Sequence, residues 1–401
     1  MLTGLKARRV EKLPDQVRFD GRVLLLAEDP ALVRRQLQGE DLAWDPLITL
    51  RDNISTDEIT PAYICYYYDE TLGDFPYLGL KCGDEFPITR GAVKRGGFVA
   101  SVSGKRRGKG SSREQSPYAE MCAGIRLVIA ENIERIYREN CQNLGVLTTT
   151  DFSIIDRVRR GAPIPLAAFT EGEGEITRGI IEYGGLFNFN VARQQGHVVL
   201  MPPVTPRRPM TLGEKLIARH WVVDPSQGKV GVPAVKPGDE GFVVTDIRFS
   251  HEYVTPMAAI FFEQLVGPDE KVHDPASILM FRDHLTFLGE AMTPERVKEG
   301  LLDVALQLEK KQRAFADKQG IRLYGELRLG AHGSEAICHS KILEGHAEPG
   351  MVIIGSDSHT PHAGAVGCLA FGVGTTAIFN SWITKDVRIT VPETVKIVVR
   401  G

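Results

Sequence analysis

Short apolar runs alternate with longer segments of helical period along this chain. In the first half, residues 22–27, 97–102 and 125–130 read as strands. Residues 131–143 place Ile133, Ile136 and Tyr137 at helical spacing, and Gly145 just beyond supplies a stop. The second half alternates in the same way. A strand is expected over 241–249. Thr293-Pro294 opens a long helix as N-cap and first-turn proline, with Gly320 at its end. Residues 333–344 read as a helix, and 351–354 as a short buried strand running into Ser356-Asp-Ser-His-Thr360. Alternation of this kind predicts an α/β fold with largely parallel sheets, and no internal repeat or low-complexity tract interrupts it.

Composition narrows the class. With 401 residues, 43% hydrophobic and 25% charged, the chain has room for two to three domains with real cores and is not disordered, collagen-like or a small disulfide scaffold. Its longest apolar runs, such as 257–262, fall far short of the roughly 18 residues of a membrane span. The first residues carry cations without an apolar core behind them, so no secretory signal is expected and the location expected is cytoplasmic. A net charge of -3 argues against a surface that coats nucleic acid. The six cysteines (65, 82, 122, 141, 338 and 368) contain no Cys-x-x-Cys pair and read as reduced thiols.

Histidine divides the chain. All ten lie at or after position 197, and eight fall between His251 and His362. Four prolines within residues 201–209 form a stiff, extended connector at the same place. The expected organisation is therefore a domain over 1–200, a linker over 201–209 and a second domain over 210–401.

Two polar loops carry the chemistry of the first domain. Gly104-Lys-Arg-Arg-Gly-Lys-Gly-Ser-Ser-Arg-Glu114 crowds five cations into ten residues and puts two serines before a helical stretch. Backbone amides at a helix N-terminus, hydroxyls and an arginine fork suit a carboxylate or phosphate. It is not a P-loop, because Gly110 separates the Gly-Lys pair from the serine. A solvated basic loop or a nucleic-acid patch is the plainer reading. Asp52-Asn-Ile-Ser-Thr-Asp-Glu-Ile-Thr-Pro61, taken alone, is a polar turn.

Together the two loops, followed by Glu131-Asn-Ile-Glu-Arg-Ile-Tyr-Arg-Glu-Asn140, resemble the swivelling domain of the aconitase superfamily, closest in shape to the small subunit of its isopropylmalate isomerase branch. The second domain carries an independent set: Phe249-Ser-His-Glu-Tyr-Val-Thr-Pro-Met257, Arg282-Asp-His-Leu285, Ile337-Cys-His-Ser-Lys341 and Gly355-Ser-Asp-Ser-His-Thr-Pro361. They stand in the order found in the family's catalytic domain. The fold class implied is α/β: an N-terminal aconitase-type swivelling domain plus the first part of an aconitase-type α/β/α catalytic domain.

The resemblance implies stereospecific dehydration and rehydration of a small hydroxy di- or tricarboxylic acid, with the site in a cleft between domains and the connector as hinge. Ser111 would be the base in alkoxide form, Arg113 would fork a substrate carboxylate, Ser112 would donate to it, and Asp57 would contact substrate or support it. His284 held by Asp283 would protonate the departing hydroxyl. His339, Asp357, Ser358 and His359 would surround that hydroxyl, and the His251-Glu252 pair would bind substrate. Each histidine alone also reads as a satisfied buried imidazole. His332, His346 and His362 have no place in the motifs and are taken as surface or supporting residues.

The family's reaction uses a 4Fe-4S cluster held by three cysteines downstream of the Asp-Ser-His-Thr motif, and neither of the family's cysteine motifs is present. The chain is therefore expected to bind no cluster by itself, to be inactive alone, and to need a missing C-terminal half or a second subunit. Residues 62–69, where the family sets specificity, are aromatic and lack arginine, which favours a small or apolar-tailed acid. Two other readings stay open at this point: a cluster-free RNA-binding relative using the basic loop, and a mononuclear metallohydrolase using His284, His339, Asp357 and His359.

Overall fold

The computed structural model describes residue 5 and residues 7–111, 113–327 and 333–400. Packing divides the chain into two compact units. One comprises residues 9–189 and 293–308, the other 1–8, 190–292 and 309–401. The division falls at residue 190 and around residues 293–308 rather than at the proline-rich connector. Asn190 donates to Asn380 and Arg193 grips both oxygens of the Asp386 carboxylate at 2.7 and 2.8 Å, which ties residues 190–200 to the second unit.

The serine-loop unit is built on strand β1 (Arg22–Leu25), helix α1 (Pro30–Leu37), the single turn α2 (Thr56–Ile59), β2 (Phe98–Ser103), α3 (Gln115–Cys122), β3 (Leu127–Ala130), α4 (Arg135–Leu144) and β4 (Leu147–Thr149). Its four strands lie in order β1-β2-β3-β4, all parallel. Strand alternation gives the sheet two apolar faces. Leu24 and Val128 enter one core, while Val23, Leu25, Val102, Leu127 and Ile129 enter the other. The expected strands and the 131–143 helix are found with trimmed ends, and Gly145 closes α4 at φ +81°.

The histidine unit contains β5 (Glu240–Val244), β6 (Ile247–His251), α5 (Thr255–Leu265), β7 (Ile278–Phe281), α6 (Leu301–Gln319, of which residues 309 onward belong here), β8 (Arg322–Tyr324), α7 (Cys338–Gly345), β9 (Val352–Gly355), β10 (Leu369–Gly372), α8 (Thr375–Thr384) and β11 (Asp386–Thr390). Five strands form a parallel sheet in order β8-β7-β6-β9-β10, and β5 pairs antiparallel with β11. The chain leaves β6 to one side through β7 and β8, then returns to build β9 and β10 on the other. That reversal is a topological switch point, where open parallel sheets place their sites beyond the C-terminal strand ends.

Three expectations are corrected. The run over 241–249 is two strands in two sheets. The break falls at Thr245 and Asp246, where Thr245 N–H donates to Lys385 O and the Asp246 carboxylate accepts from Val352 N–H. The helix opened by Thr293 stops at Lys298 and restarts at Leu301, because Gly300 sits at φ +79° and turns the chain. The helix expected over 333–344 begins only at Cys338, because residues up to 337 are drawn into a bridge between Glu326 and Ser334.

Candidate active site

The end of β6, the loops beyond β6, β7 and β9 and the start of α7 bring eight side chains of the histidine unit together. Asp357 follows β9, and its two oxygens are faced by four imidazoles. His339 Nε2 lies 3.1 Å and His359 Nδ1 3.2 Å from Oδ1; His284 Nε2 lies 3.2 Å and His251 Nε2 4.0 Å from Oδ2. Asp357 also accepts from His359 N–H at 2.7 Å, which curls the Asp-Ser-His turn around its own carboxylate. Ser358 Oγ lies 3.2 Å from His359 Nδ1.

Asp283 and Glu252 set this geometry. Asp283 Oδ1 is 2.8 Å from His284 Nδ1, and its Oδ2 accepts the Cys338 N–H at 2.7 Å. A carboxylate at the first amide of α7 is well placed against the helix dipole and fixes the start of the helix that carries His339. The completely buried Glu252 accepts from the His284 and Leu285 amides at 2.7 Å each and lies 3.6 Å from Arg282, itself buried. It was expected to touch substrate. Burial instead makes it the support of the His284 loop.

Electrostatics separate the histidines. His284 has a carboxylate at each ring nitrogen, so both nitrogens must donate and the ring is an imidazolium. Burial pulls its pKa down, but hydrogen bonds to Asp283 and Asp357 outweigh it and push it up to about 10. His251 stacks on it with centroids 4.1 Å apart. Burial, reinforced by the neighbouring charge of His284, pulls His251 down to about 3, so that ring is neutral. The hydrogen bond from His284 holds Asp357 well below the usual carboxylate range, and burial lowers His339. The result is one charged donor, His284, beside the neutral ring of His251 and an ionised carboxylate. Of the unassigned histidines, His346 bonds Tyr324 OH at 2.8 Å, His362 has its ring centroid 6.4 Å from that of His339, and His332 lies outside the described residues.

In the serine-loop unit the two polar loops are laced together. Gly104 N–H donates to Arg51 O, Asn53 N–H to Lys105 O, Gly108 N–H to Ile54 O, and Thr56 N–H to Lys109 O at 2.9, 2.7, 2.8 and 2.9 Å. Ser55 caps α2 in a capping box with Glu58. Thr56 Oγ1 donates to Ser111 O at 3.1 Å and lies 3.4 Å from Ser111 Oγ, which is exposed. Arg113 pairs with Asp57 and reaches Thr60 O at 3.4 Å. Buried Cys65 feels both charges; burial pushes its thiol up to about 11, against the pull of Arg113. Ser112 lies outside the described residues. Thr56 and Cys65 were not anticipated, although both sit in or beside the Ser-Thr-Asp motif. Lys105, Arg106, Arg107 and Arg113, four of the five loop cations, each face a carboxylate, so the basic run is not an open patch.

Three groups offer donor atoms within 4.8 Å of one another, close enough to share a cation: His251, His284 and Asp357; His339, Asp357 and His359; and Glu252, Asp283 and His284. Among the described residues no cysteine belongs to such a group. Burial raises the thiol pKa at all six cysteines, which disfavours thiolates. This chain's own residues therefore do not fit a thiolate-ligated iron-sulfur cluster. Among the described residues no helix is long and apolar enough to cross a membrane.

Residues 216–401 match the model of the aconitase family (aconitate hydratase), and residues 85–151 match that of the aconitase C-terminal domain. The chain is 34% identical over 193 residues to 3-isopropylmalate dehydratase large subunit 1 of Pyrococcus furiosus, an alignment covering 48% of this chain and 39% of that protein. It is 32% identical over 190 residues to the large subunit of the same enzyme in a Sulfurihydrogenibium species, covering 47% and 38%. A probable large subunit from Methanothermobacter thermautotrophicus matches at 32% over 193 residues, covering 48% and 39%. The chain thus spans well under half the length of the curated relatives it matches.

Proposed function

Since this chain belongs to the aconitase superfamily, we propose that it acts as a hydro-lyase, dehydrating and rehydrating a small hydroxy dicarboxylate of the 3-isopropylmalate type. The observation that carries the reading is the set of four imidazoles around Asp357 at the switch point of a parallel sheet. This chemistry is hard at both ends, because the proton beside a carboxylate is barely acidic and hydroxide leaves poorly.

His284 answers the second difficulty. As an imidazolium held by Asp283, it can protonate the departing hydroxyl and take the proton back on rehydration. His339, Ser358 and His359 orient that hydroxyl, while Asp357 keeps the imidazoles in register. Ser111 is the base, and Arg113, with Asp57 displaced, forks a substrate carboxylate. Ala62–Tyr66 and the two tyrosines after it lack a cation for a third carboxylate, which supports a dicarboxylate with an apolar tail.

A 4Fe-4S cluster supplies Lewis-acid chemistry in the family, and the complete enzyme is taken to use one with thiolates from outside these residues. A cytoplasmic location and a further subunit or segment belong to the same reading. The test is a panel of hydroxy di- and tricarboxylates, followed by the ultraviolet absorbance of the conjugated unsaturated acid, with the assembled protein loaded anaerobically with iron and sulfide. Turnover of a hydroxy dicarboxylate in preference to citrate is expected. Loaded protein that turns over no member of the panel would sink the assignment.

A further inference from the structure

Beneath the serine loop lies an ion pair that the reaction does not call for. Arg107 and Glu120 have fully buried side chains and are paired. Arg107 Nη2 also donates to Tyr77 OH at 2.8 Å. Tyr77 OH donates to Glu120 Oε1 and Tyr137 OH to Glu120 Oε2, so both carboxylate oxygens are used. The guanidinium lies 5.1 Å from the centroid of the Tyr77 ring and 5.7 Å from that of Tyr137. Yet Arg107 Nε and Nη1 are buried without an acceptor. A buried pair with orphaned donors is a poor source of stability; apolar side chains of similar volume would serve as well or better. Its position is what distinguishes it.

Arg107 stands in the loop before Ser111, and Glu120 on α3 after Arg113, so the pair closes the chain around both candidate site residues. The same network tethers the hydroxyl of Tyr137, and the Tyr137 ring is the floor on which Gly108 lies. A Cβ at Gly108 would come within 2.2 Å of that ring. The Gly108 and Lys109 amides then donate to Ile54 O, Lys109 O accepts from Thr56 N–H, and Thr56 Oγ1 holds Ser111 O. Contacts are continuous from Glu120 through Tyr137 and Gly108 to Ser111.

We propose that Arg107, Glu120, Tyr77 and Tyr137 form a positioning device, a polar staple that closes the 107–120 loop and holds Ser111 and Arg113 in place for a substrate carboxylate. The role assigned to the loop rests on the hydro-lyase reading; the staple itself is testable without turnover. The variant Arg107→Met/Glu120→Leu/Tyr77→Phe/Tyr137→Phe removes every polar member, so no buried group is left unpaired. Its thermal midpoint is expected to match or exceed that of the parent, while amide hydrogen exchange over 105–111 becomes about tenfold faster. In the active assembly its kcat is expected to fall about 100-fold through misplacement of Ser111, with KM rising only severalfold as the Arg113 fork loosens.

Unchanged loop exchange in a stable fourfold variant overturns the staple. Unchanged kcat with faster exchange overturns its positioning role. If the fourfold variant does not fold, Tyr137→Phe, which keeps the ion pair and the ring, decides. It should speed loop exchange severalfold without lowering the midpoint by more than a few degrees, and exchange equal to the parent's overturns the proposal. A parent that turns over nothing counts against the hydro-lyase reading and leaves the exchange result to judge the staple.

Discussion

His284 shows how residue chemistry here is set by neighbours rather than by type. An isolated imidazole ionises near 6.5; between Asp283 and Asp357 this one holds its proton to about 10. Because its folded pKa is raised, its contribution to stability is complete below about 6.5 and is lost as pH climbs towards about 10. Urea midpoints measured across that window should decline for the parent and be flatter for His284→Gln. Parallel curves would place the charge elsewhere. At Ser111 the expectation concerns rate. Ser111→Ala in the active assembly should lower kcat by at least about 100-fold while calorimetry still detects substrate binding, since the proposed function gives the side chain the proton and Arg113 the carboxylate. Near-normal turnover would remove Ser111 from the mechanism.

At the scale of elements, the polar loops matter through the strands and helices they join. The serine loop follows the inner strand β2 and is laced to the turn at α2 by backbone hydrogen bonds, so its conformation is set by the 51–60 segment as well as by its own glycines. Gly108 combines a left-handed backbone, at φ +81°, with close packing against Tyr137. Gly108→Ala should therefore cost about 1–3 kcal/mol through backbone strain and overpacking, measurable as a drop in the unfolding midpoint. Gly97 is also left-handed, but a Cβ there would meet nothing within 4 Å, so Gly97→Ala should show only the milder backbone penalty. In the histidine unit, the reach of Asp283 from the end of β7 to the first amide of α7 is the comparable device, since it couples two elements to one carboxylate.

For the whole molecule, the candidate residues divide between the two units: Ser111, Asp57 and Arg113 in one, His251, His284, His339, Asp357 and His359 in the other. Among the described residues no cysteine joins a group of converging donors, so iron and sulfide added anaerobically to this chain alone should leave no cluster absorbance after desalting. A cluster retained by the chain alone would show that its buried cysteines can be recruited. Much of this was legible in the sequence. Strand periodicity over 97–102 and 125–130 and the stop at Gly145 are local properties, set by side-chain type and spacing over a few residues. What failed was non-local in origin: the break at Thr245 and Asp246 is imposed by partners at Lys385 and Val352, more than a hundred residues away. Glu252 was read as a substrate contact because its motif gives only its identity; burial made it a support. Likewise no pattern announces that Arg107 and Glu120 meet, or that His251 joins the other three histidines around Asp357. The sequence determined which groups were on hand and which segments would be strand or helix. The tertiary structure decided which groups lost water and met each other, and desolvation and proximity are what turn a histidine into a proton donor or a glutamate into scaffolding.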